Sequence, residues 1–380
     1  MRAYLPAESI ELFYSGQDSL ARLIRMLDRA RRHIHFQVYI FDDDETGRQV
    51  AAALQRAARR GVSVWLMVDG FGSKDLPAAF IKNLEDPGVQ FRFFNQLFSI
   101  WKWHMGRTLH HKVVVADGEQ ALVGGINIAD KYRGNAEQTA WLDFAVHIQG
   151  AVCQRLFQLC ADIFSHQYWK NRHPEKGRHP LLPPGDLQGL LRFRLNDWMR
   201  RKTEVYQSYA RGISAAQETL YIAASYFLPG RSVRRRLRAA ARRGVDVRVL
   251  LTGPSDVQLS RLAEEFLIDW MLRRGIRVFR WEHSVMHGKA MLVDGRWSTL
   301  GSFNINRLSR FRSLELNVDI ADPAFNRRFR SQLDNILFRQ CREITADQNP
   351  ELSRPWKRWK ARLAYHLAVY LMRFLFPQRR

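Results

Sequence analysis

The chain has 380 residues, 46% of them hydrophobic and 12% aromatic, so it is too long for one ordinary core, and global disorder is excluded. Sixty Lys and Arg stand against 37 Asp and Glu, a formal charge of +23 that draws polyanions: nucleic acid, an anionic membrane or a phosphorylated substrate. Three scattered cysteines, Cys153, Cys160 and Cys341, exclude a disulfide framework and point to a reducing compartment.

Met1 to Glu8 has no apolar stretch, so no secretory signal is expected. No run reaches the roughly 20 apolar residues of a membrane span. The nearest, Leu363 to Phe376, is interrupted by His366 and Arg373.

The first predicted strand is Ala30 to Phe41, followed by a helix to Arg60 and a second strand from Gly61 to Gly70. Further strands are predicted at Val89 to Phe94, His110 to Asp117 and Trp141 to Ile148, then a helix over 151–168. The series then begins again. Ala216 to Phe227, a helix to Arg243 and Gly244 to Gly253 match the opening, and Ala-Ala-Arg-Arg-Gly-Val stands at both 57–62 and 240–245. Strands at Ile276 to Phe279, His287 to Asp294 and Ser313 to Ile320 complete the second copy, before a helix over 324–342.

The predicted fold is α/β: two repeated units, each a mixed and mostly parallel sheet flanked by helices, related by a pseudo-twofold axis. The first unit covers 1–165 and the second 188–345. Residues 166–187, rich in Pro, His and basic side chains, read as the linker, and 346–380 as a basic amphipathic tail.

The chemistry sits at matching points of the two copies. His110-His-Lys112, with Asp117 five residues on and Gly124-Gly125-Ile-Asn127 after it, matches His287-Gly-Lys289, Asp294 and Gly301-Ser302-Phe-Asn304. His and Lys two apart on a strand project from one face, offering an imidazole and an ammonium to one ligand. The glycine turns let backbone approach closely, and the asparagines supply amide donors, so Gly125, Ser302, Asn127 and Asn304 are candidate phosphate contacts. The twofold doubles this set into a phosphate site with its own acid and base.

These doubled motifs resemble the signature of the phospholipase D superfamily, and the match runs from about residue 8 to 343. Within it the chain is most similar to bacterial cardiolipin synthases of the short type without N-terminal membrane helices, the cardiolipin synthase B group. The supporting strings are Asp69-Gly-Phe-Gly-Ser73, Ala224 to Gly230 and Met286 to Glu315.

The resemblance implies a two-step transfer through a phosphohistidine, without metal or other cofactor. His110 would be the nucleophile and His287 the general acid and base, titrating as a coupled pair. Lys112, Lys289, Asn127 and Asn304 would hold the non-bridging oxygens. Asp117 and Asp294 belong to the motif but lie at the far end of the strand from their histidines, where a structural role fits better. Asp143 and Glu315, at matching positions on the next strand, are the candidates for orienting the imidazoles; a plain surface carboxylate is the other reading. His111 faces the opposite way and reads as packed or surface. Tyr39 and Tyr226, at equivalent strand ends, would line the pocket or simply end their strands.

Gly88 precedes His110 by 22 positions, whereas Gly275 precedes His287 by 12. The extra residues lie in 95–107 and include Phe98, Trp101 and Trp103. These would insert among acyl chains, pack on the chain's own core or stack on bases. The tail carries Trp356 and Trp359 in a cationic front half before an apolar rear, the pattern of a membrane-surface helix; docking on the second unit or on another copy is the alternative. The arginine row Arg231, Arg234, Arg235, Arg238 and Arg242 reads as a solvated face or a headgroup contact.

The expectation is a peripheral transferase on the cytoplasmic face of the bacterial cell membrane. Its substrate would be phosphatidylglycerol, with phosphatidylethanolamine the other candidate donor, and its partner surface an anionic membrane. Phospholipase D hydrolysis and nuclease action on a nucleic-acid diester are the alternatives, nucleic acid being disfavoured as a partner; oligomeric state is not indicated.

Overall fold

A computed structural model describes residues 3–95, 107–135, 138–170, 180–197, 200, 202–254, 258–345 and 355–374. Phe98, Trp101 and Trp103 lie outside the described residues.

The strands run in chain order as β1 (Leu5–Pro6), β2 (Ser9–Phe13), β3 (His33–Val38), β4 (Ser63–Asp69), β5 (Gln90–Phe94), β6 (Thr108–Leu109), β7 (Lys112–Ala116), β8 (Gln120–Gly124) and β9 (Ala145–Gln149). The second set is β10 (Leu190–Asp197), β11 (Lys202–Thr203), β12 (Thr219–Ala224), β13 (Asp246–Thr252), β14 (Arg277–Trp281), β15 (Lys289–Val293), β16 (Trp297–Gly301), β17 (Ser313–Ile320) and β18 (Cys341–Ile344). Helices α1 (Gly16–Arg29), α2 (Glu45–Arg59), α3 (Ala78–Glu85), α4 (Asp130–Arg133), α5 (Cys153–Phe164) and α6 (Gln167–Lys170) belong to the first half. The second has α7 (Glu204–Ala215), α8 (Arg231–Arg242), α9 (Gln258–Leu272), α10 (Arg307–Phe311) and α11 (Pro323–Asn335), and the tail is α12 (Pro355–Phe374).

The duplication is visible in strand order. One sheet runs β2-β9-β8-β7-β3-β4-β5, and the other contains β10-β17-β16-β15-β12-β13-β14 in the equivalent order. Four strands extend the second sheet: β1 pairs with β10, so the first described residues join the second half, β18 pairs with β14, and short β11 and β6 pair with β10 and β17.

The α/β class and the two-sheet arrangement agree with the prediction; the expected parallel majority does not. Within each seven-strand series only β3-β4-β5, or β12-β13-β14, is parallel, and the other four pairings are antiparallel; outside the series, short β6 of the first half pairs parallel with β17. The reason is the turn chemistry. Asp117-Gly118 and Asp294-Gly295 all take positive φ between strands only three residues apart, which folds β7 onto β8 and β15 onto β16 as hairpins. Among the described residues, the parallel neighbours within each trio are joined by helical crossovers, at α2, α3, α8 and α9.

The helices show why each sheet has two buried faces. Asp44 caps α2 through Gly47 N at 2.9 Å, and Asp322 caps α11 with Pro323 in its first turn. Leu23, Leu27, Val50 and Leu54 of α1 and α2 cover one face of the first sheet. Tyr209, Ile213, Val233 and Leu237 of α7 and α8 do the same for the second. The other faces share one core: Val113, Val115 and Val146 of the first sheet, Phe193, Leu316 and Val318 of the second, with Leu156 and Ile163 of α5 and Phe329 and Leu333 of α11 between them. This shared core sets the two halves against each other and so positions the site.

Candidate active site

Both motif histidines stand just ahead of a strand rather than on it. His110 lies between β6 and β7, and His287 precedes β15. Each is fastened by backbone to the opposite half: His110 N and His111 N donate to Leu314 O at 3.0 and 3.1 Å, while His287 N and Gly288 N donate to Leu142 O at 2.7 and 3.0 Å. The symmetry of these contacts makes the pseudo-twofold visible at atomic level.

The side chains cross the same boundary. Glu315, the residue after Leu314, places Oε2 2.9 Å from His110 Nδ1. Asp143, the residue after Leu142, places Oδ2 2.6 Å from His287 Nδ1. Each half therefore supplies the carboxylate that orients the other half's imidazole. A carboxylate accepts, so Nδ1 carries the hydrogen and Nε2 is left as the reactive nitrogen. Asp143 and Glu315 are buried, which removes the surface-carboxylate alternative.

The lysines are buried beside them. Lys112 Nζ donates to His110 O at 2.5 Å, and Lys289 Nζ donates to His287 O. Burial lowers the Lys112 ammonium to about 8 against the pull of Glu315, Asp143 and Asp69. Burial and then Lys289 lower the His287 imidazole to about 3; burial also lowers His110, opposed by Glu315. Burial alone would raise the Asp143 carboxyl, but His287 and Lys289 hold it below the ordinary range. Both imidazoles thus rest neutral near pH 7, each facing lysines from both halves.

Aromatic rings wall the histidines. The Tyr39 ring is 4.9 Å from that of His110, as the pocket-lining reading expected. Tyr132 and Trp141 lie 5.3 and 5.7 Å from His287. His111 is packed, its Nε2 2.8 Å from Gln37 Oε1.

The remaining motif residues divide. Asn127 accepts from Ile40 N at 3.1 Å and donates to Tyr132 Oη at 2.6 Å; Asn304 Oδ1 accepts from Ser225 Oγ at 2.8 Å. Both carboxamides are thereby held rigid at the site. Gly125 and Ser302 are not phosphate donors: their backbone N–H groups go to Phe144 O and Leu316 O. Ser302 Oγ instead donates to Glu315 Oε2 at 2.5 Å, and a Cβ on Gly125 would meet Asp143 Oδ1 at 2.2 Å. These two positions shape the orienting carboxylates.

Asp117 and Asp294 stand away from the imidazoles. Each lies one strand length, about 16 Å, from its lysine and accepts three backbone N–H bonds, from Arg31, Arg32 and His33 or from Gln217, Glu218 and Thr219. They clamp β7 to β3 and β15 to β12.

Sequence reasoning missed Asp69 and Thr252. Asp69 Oδ2 accepts from Leu109 N at 2.6 Å and Oδ1 from Phe71 N and Gly72 N, while Thr252 Oγ1 accepts from Met286 N at 3.0 Å. Both hold the amide just before a motif histidine. Their matching positions at the ends of β4 and β13 were the available signal, obscured because one is acidic and the other a hydroxyl.

The tail docks on the second half along one side. On that face of α12 Ala361, Ala364, Tyr365 and Ala368 are buried, and Tyr365 and Ala368 pack with Leu228 and with Ala263 and Leu267 of α9. Trp356 and Trp359 are 57% and 66% exposed. Among the described residues no helix is long and apolar enough to cross a membrane, and no group of three or more His, Cys, Asp or Glu could hold a metal ion.

A family profile described as "Cardiolipin synthase, PLD-like domain" matches residues 23–156 and 209–337. Cardiolipin synthase B of Escherichia coli strain K12 is 31% identical over 366 residues, covering 94% of this chain and 87% of that protein. Cardiolipin synthase A of Pseudomonas putida is 31% identical over 358 residues, covering 92% and 72%. Among solved structures, the phosphatidylserine synthase of Haemophilus influenzae aligns over 98% of this chain and 96% of its own, with a TM-score of 0.73 at 16% identity, a likeness of fold.

Proposed function

The chain belongs to the cardiolipin synthase family of phospholipase D-like proteins, and from that premise we propose that it is a phosphatidyltransferase making cardiolipin from two molecules of phosphatidylglycerol. The observation that carries the chemistry is the crossed pair of carboxylate-bound imidazoles, each facing buried lysines from both halves.

In the first step His110 Nε2 attacks phosphorus. An N–P bond forms as the P–O bond to glycerol breaks, and His287 gives its proton to the departing oxygen. In the second, the terminal hydroxyl of another phosphatidylglycerol attacks, its proton passes to His287, the P–N bond breaks and cardiolipin leaves. Lys112 and Lys289, with Asn127 and Asn304, balance charge on the non-bridging oxygens. In this reading four donors, one nucleophile and one proton carrier serve the phosphoryl group.

Proton supply follows from the electrostatics. Burial, and after it Lys289, keeps His287 neutral at rest. A phosphodiester anion between the lysines offsets their charge, so His287 takes up the proton it donates only when substrate is bound.

The partner in this reading is an anionic membrane surface, on the cytoplasmic face of the bacterial cell membrane. The +23 charge and the exposed tail tryptophans support it.

The test supplies purified protein with phosphatidylglycerol vesicles and a chelator. Cardiolipin and glycerol in equal amounts are expected. Phosphatidic acid as the main product would make it a hydrolase, and cleavage of DNA without lipid turnover a nuclease. His110→Ala and His287→Ala should each reduce synthesis to background; either variant near wild type would overturn the shared site.

A further inference from the structure

The arginine row on α8 does not stand alone. Arg234, Arg238 and Arg242 are spaced one helical turn apart, so they share a face. Arg238 and Arg242 line an open cleft of about 520 Å³ together with Arg273 and Arg274, which follow α9. Opposite charge is scarce: Arg273 pairs with Asp269 at 3.0 Å, but among the described residues no carboxylate pairs with Arg234, Arg238, Arg242 or Arg274. Arg274 donates to Trp270 O and lies 4.7 Å from the centre of that residue's ring. Burial and then Arg238, Arg242, Arg234 and Arg273 depress its guanidinium, a sign of mutual repulsion across the cleft. A self-repelling cluster of this kind is relieved by a multiply charged anion.

The cluster adjoins the tail. The Arg234 guanidinium lies 5.5 Å from the centre of the Tyr365 ring, and the Tyr365 ring lies tilted against that of Phe266 of α9, 4.8 Å between centres. On the side of α12 away from α9, Trp356, Trp359, Leu363, Leu367 and Tyr370 recur at three- and four-residue steps, and all are 46–66% exposed. Arg362 stands on the flank of that stripe. The platform is joined to the active site through one loop. Ser225 touches His287 O and Asn304, Phe227 N donates to Glu264 of α9, and Leu228 packs under α12.

We propose that α8, α9 and α12 form a docking platform for a bilayer of anionic phospholipid, the arginine cleft taking phosphate headgroups and the α12 stripe entering the interface. Charge decides the occupant: a second copy of a +23 chain would set cation against cation, whereas an anionic bilayer meets both the cleft and the apolar stripe. The proposal rests on the reading of the substrate as a bilayer lipid, and it separates holding the membrane from turning over its lipid.

The experiment compares the full chain with R238Q/R242Q/R274Q and with W359S/L363S. Flotation is measured with phosphatidylglycerol vesicles and with phosphatidylcholine vesicles, and synthesis with phosphatidylglycerol dispersed in neutral detergent. Wild type should float with the anionic vesicles and about tenfold less with the neutral ones. Each variant should lose about tenfold in anionic-vesicle binding and in activity on vesicles, with activity in detergent unchanged. Equal flotation of wild type and both variants would overturn the platform, as would loss of single-stranded DNA binding by the arginine variant without loss of vesicle binding. Wild type that floats but makes no cardiolipin would leave the platform standing and remove the functional reading; synthesis in detergent without flotation would do the reverse.

Discussion

At His287 and His110 the decisive contact is with a carboxylate 144 or 205 positions away in sequence. Asp143 and Glu315 hold each imidazole in one tautomer and steady the positive charge it acquires. Asp143→Asn keeps the shape and removes the charge, so kcat should fall by roughly 10²–10⁴-fold with a small change in KM. Glu315→Gln should behave alike. The crossing makes the prediction sharper. In NMR titrations of the ring nitrogens, Asp143→Asn should move His287 and leave His110 nearly in place; movement of His110 instead would contradict the crossed pairing. The pairing also explains Gly288 where the first copy has His111, since a Cβ there would stand 2.5 Å from the Phe144 ring.

At the scale of elements, the hairpins and the parallel trio of each sheet meet at β7 and β15, and the aspartates at their far ends hold that junction. Asp117 and Asp294 each satisfy three backbone N–H groups from a residue with positive φ. Replacing either with Ala strands these donors and should cost about 1–3 kcal/mol in denaturant unfolding. The variants that fold should keep kcat within about threefold, because neither carboxylate reaches the phosphate; a loss of kcat matching His110→Ala would return them to the catalytic set. Helix α12 belongs to this scale too. Its sequence reads as cationic in front and apolar behind, yet what matters in the fold is the division around its axis, one apolar face on α9 and another in solvent.

For the whole molecule, burial of neutral histidines ties stability to pH. Burial holds His35 and His147 at about 4 and His111 and His287 at about 3, all below the ordinary 6.5. The unfolded chain binds protons at these sites that the folded chain refuses, so stability falls as pH drops from about 6.5 toward 4, by up to about 1.4 kcal/mol per pH unit for each histidine. Burial raises Asp69 to about 6 and Glu264 to about 8; these carboxyls act in the opposite sense, between about 4 and 6 and between about 4.5 and 8, and offset part of the loss. Thermal melts between pH 7.5 and 4.5 should show a Tm that declines once pH falls below about 6.5, and His147→Gln should flatten that decline; a Tm independent of pH would refute the account.

Duplication, the two His-x-Lys pairs, the asparagines and the two candidate acids were all legible in the residues, because repeats, alternation and short motif spacing are local patterns that survive without coordinates. Tertiary structure alone decided which acid serves which imidazole, that Gly125 and Ser302 shape carboxylates, that Asp69 and Thr252 hold the preceding amides, and that antiparallel pairings outnumber parallel ones. Those outcomes depend on how two halves dock through a shared core. A local pattern states what chemistry a residue offers, but the partner it meets is set by packing between segments far apart in the chain.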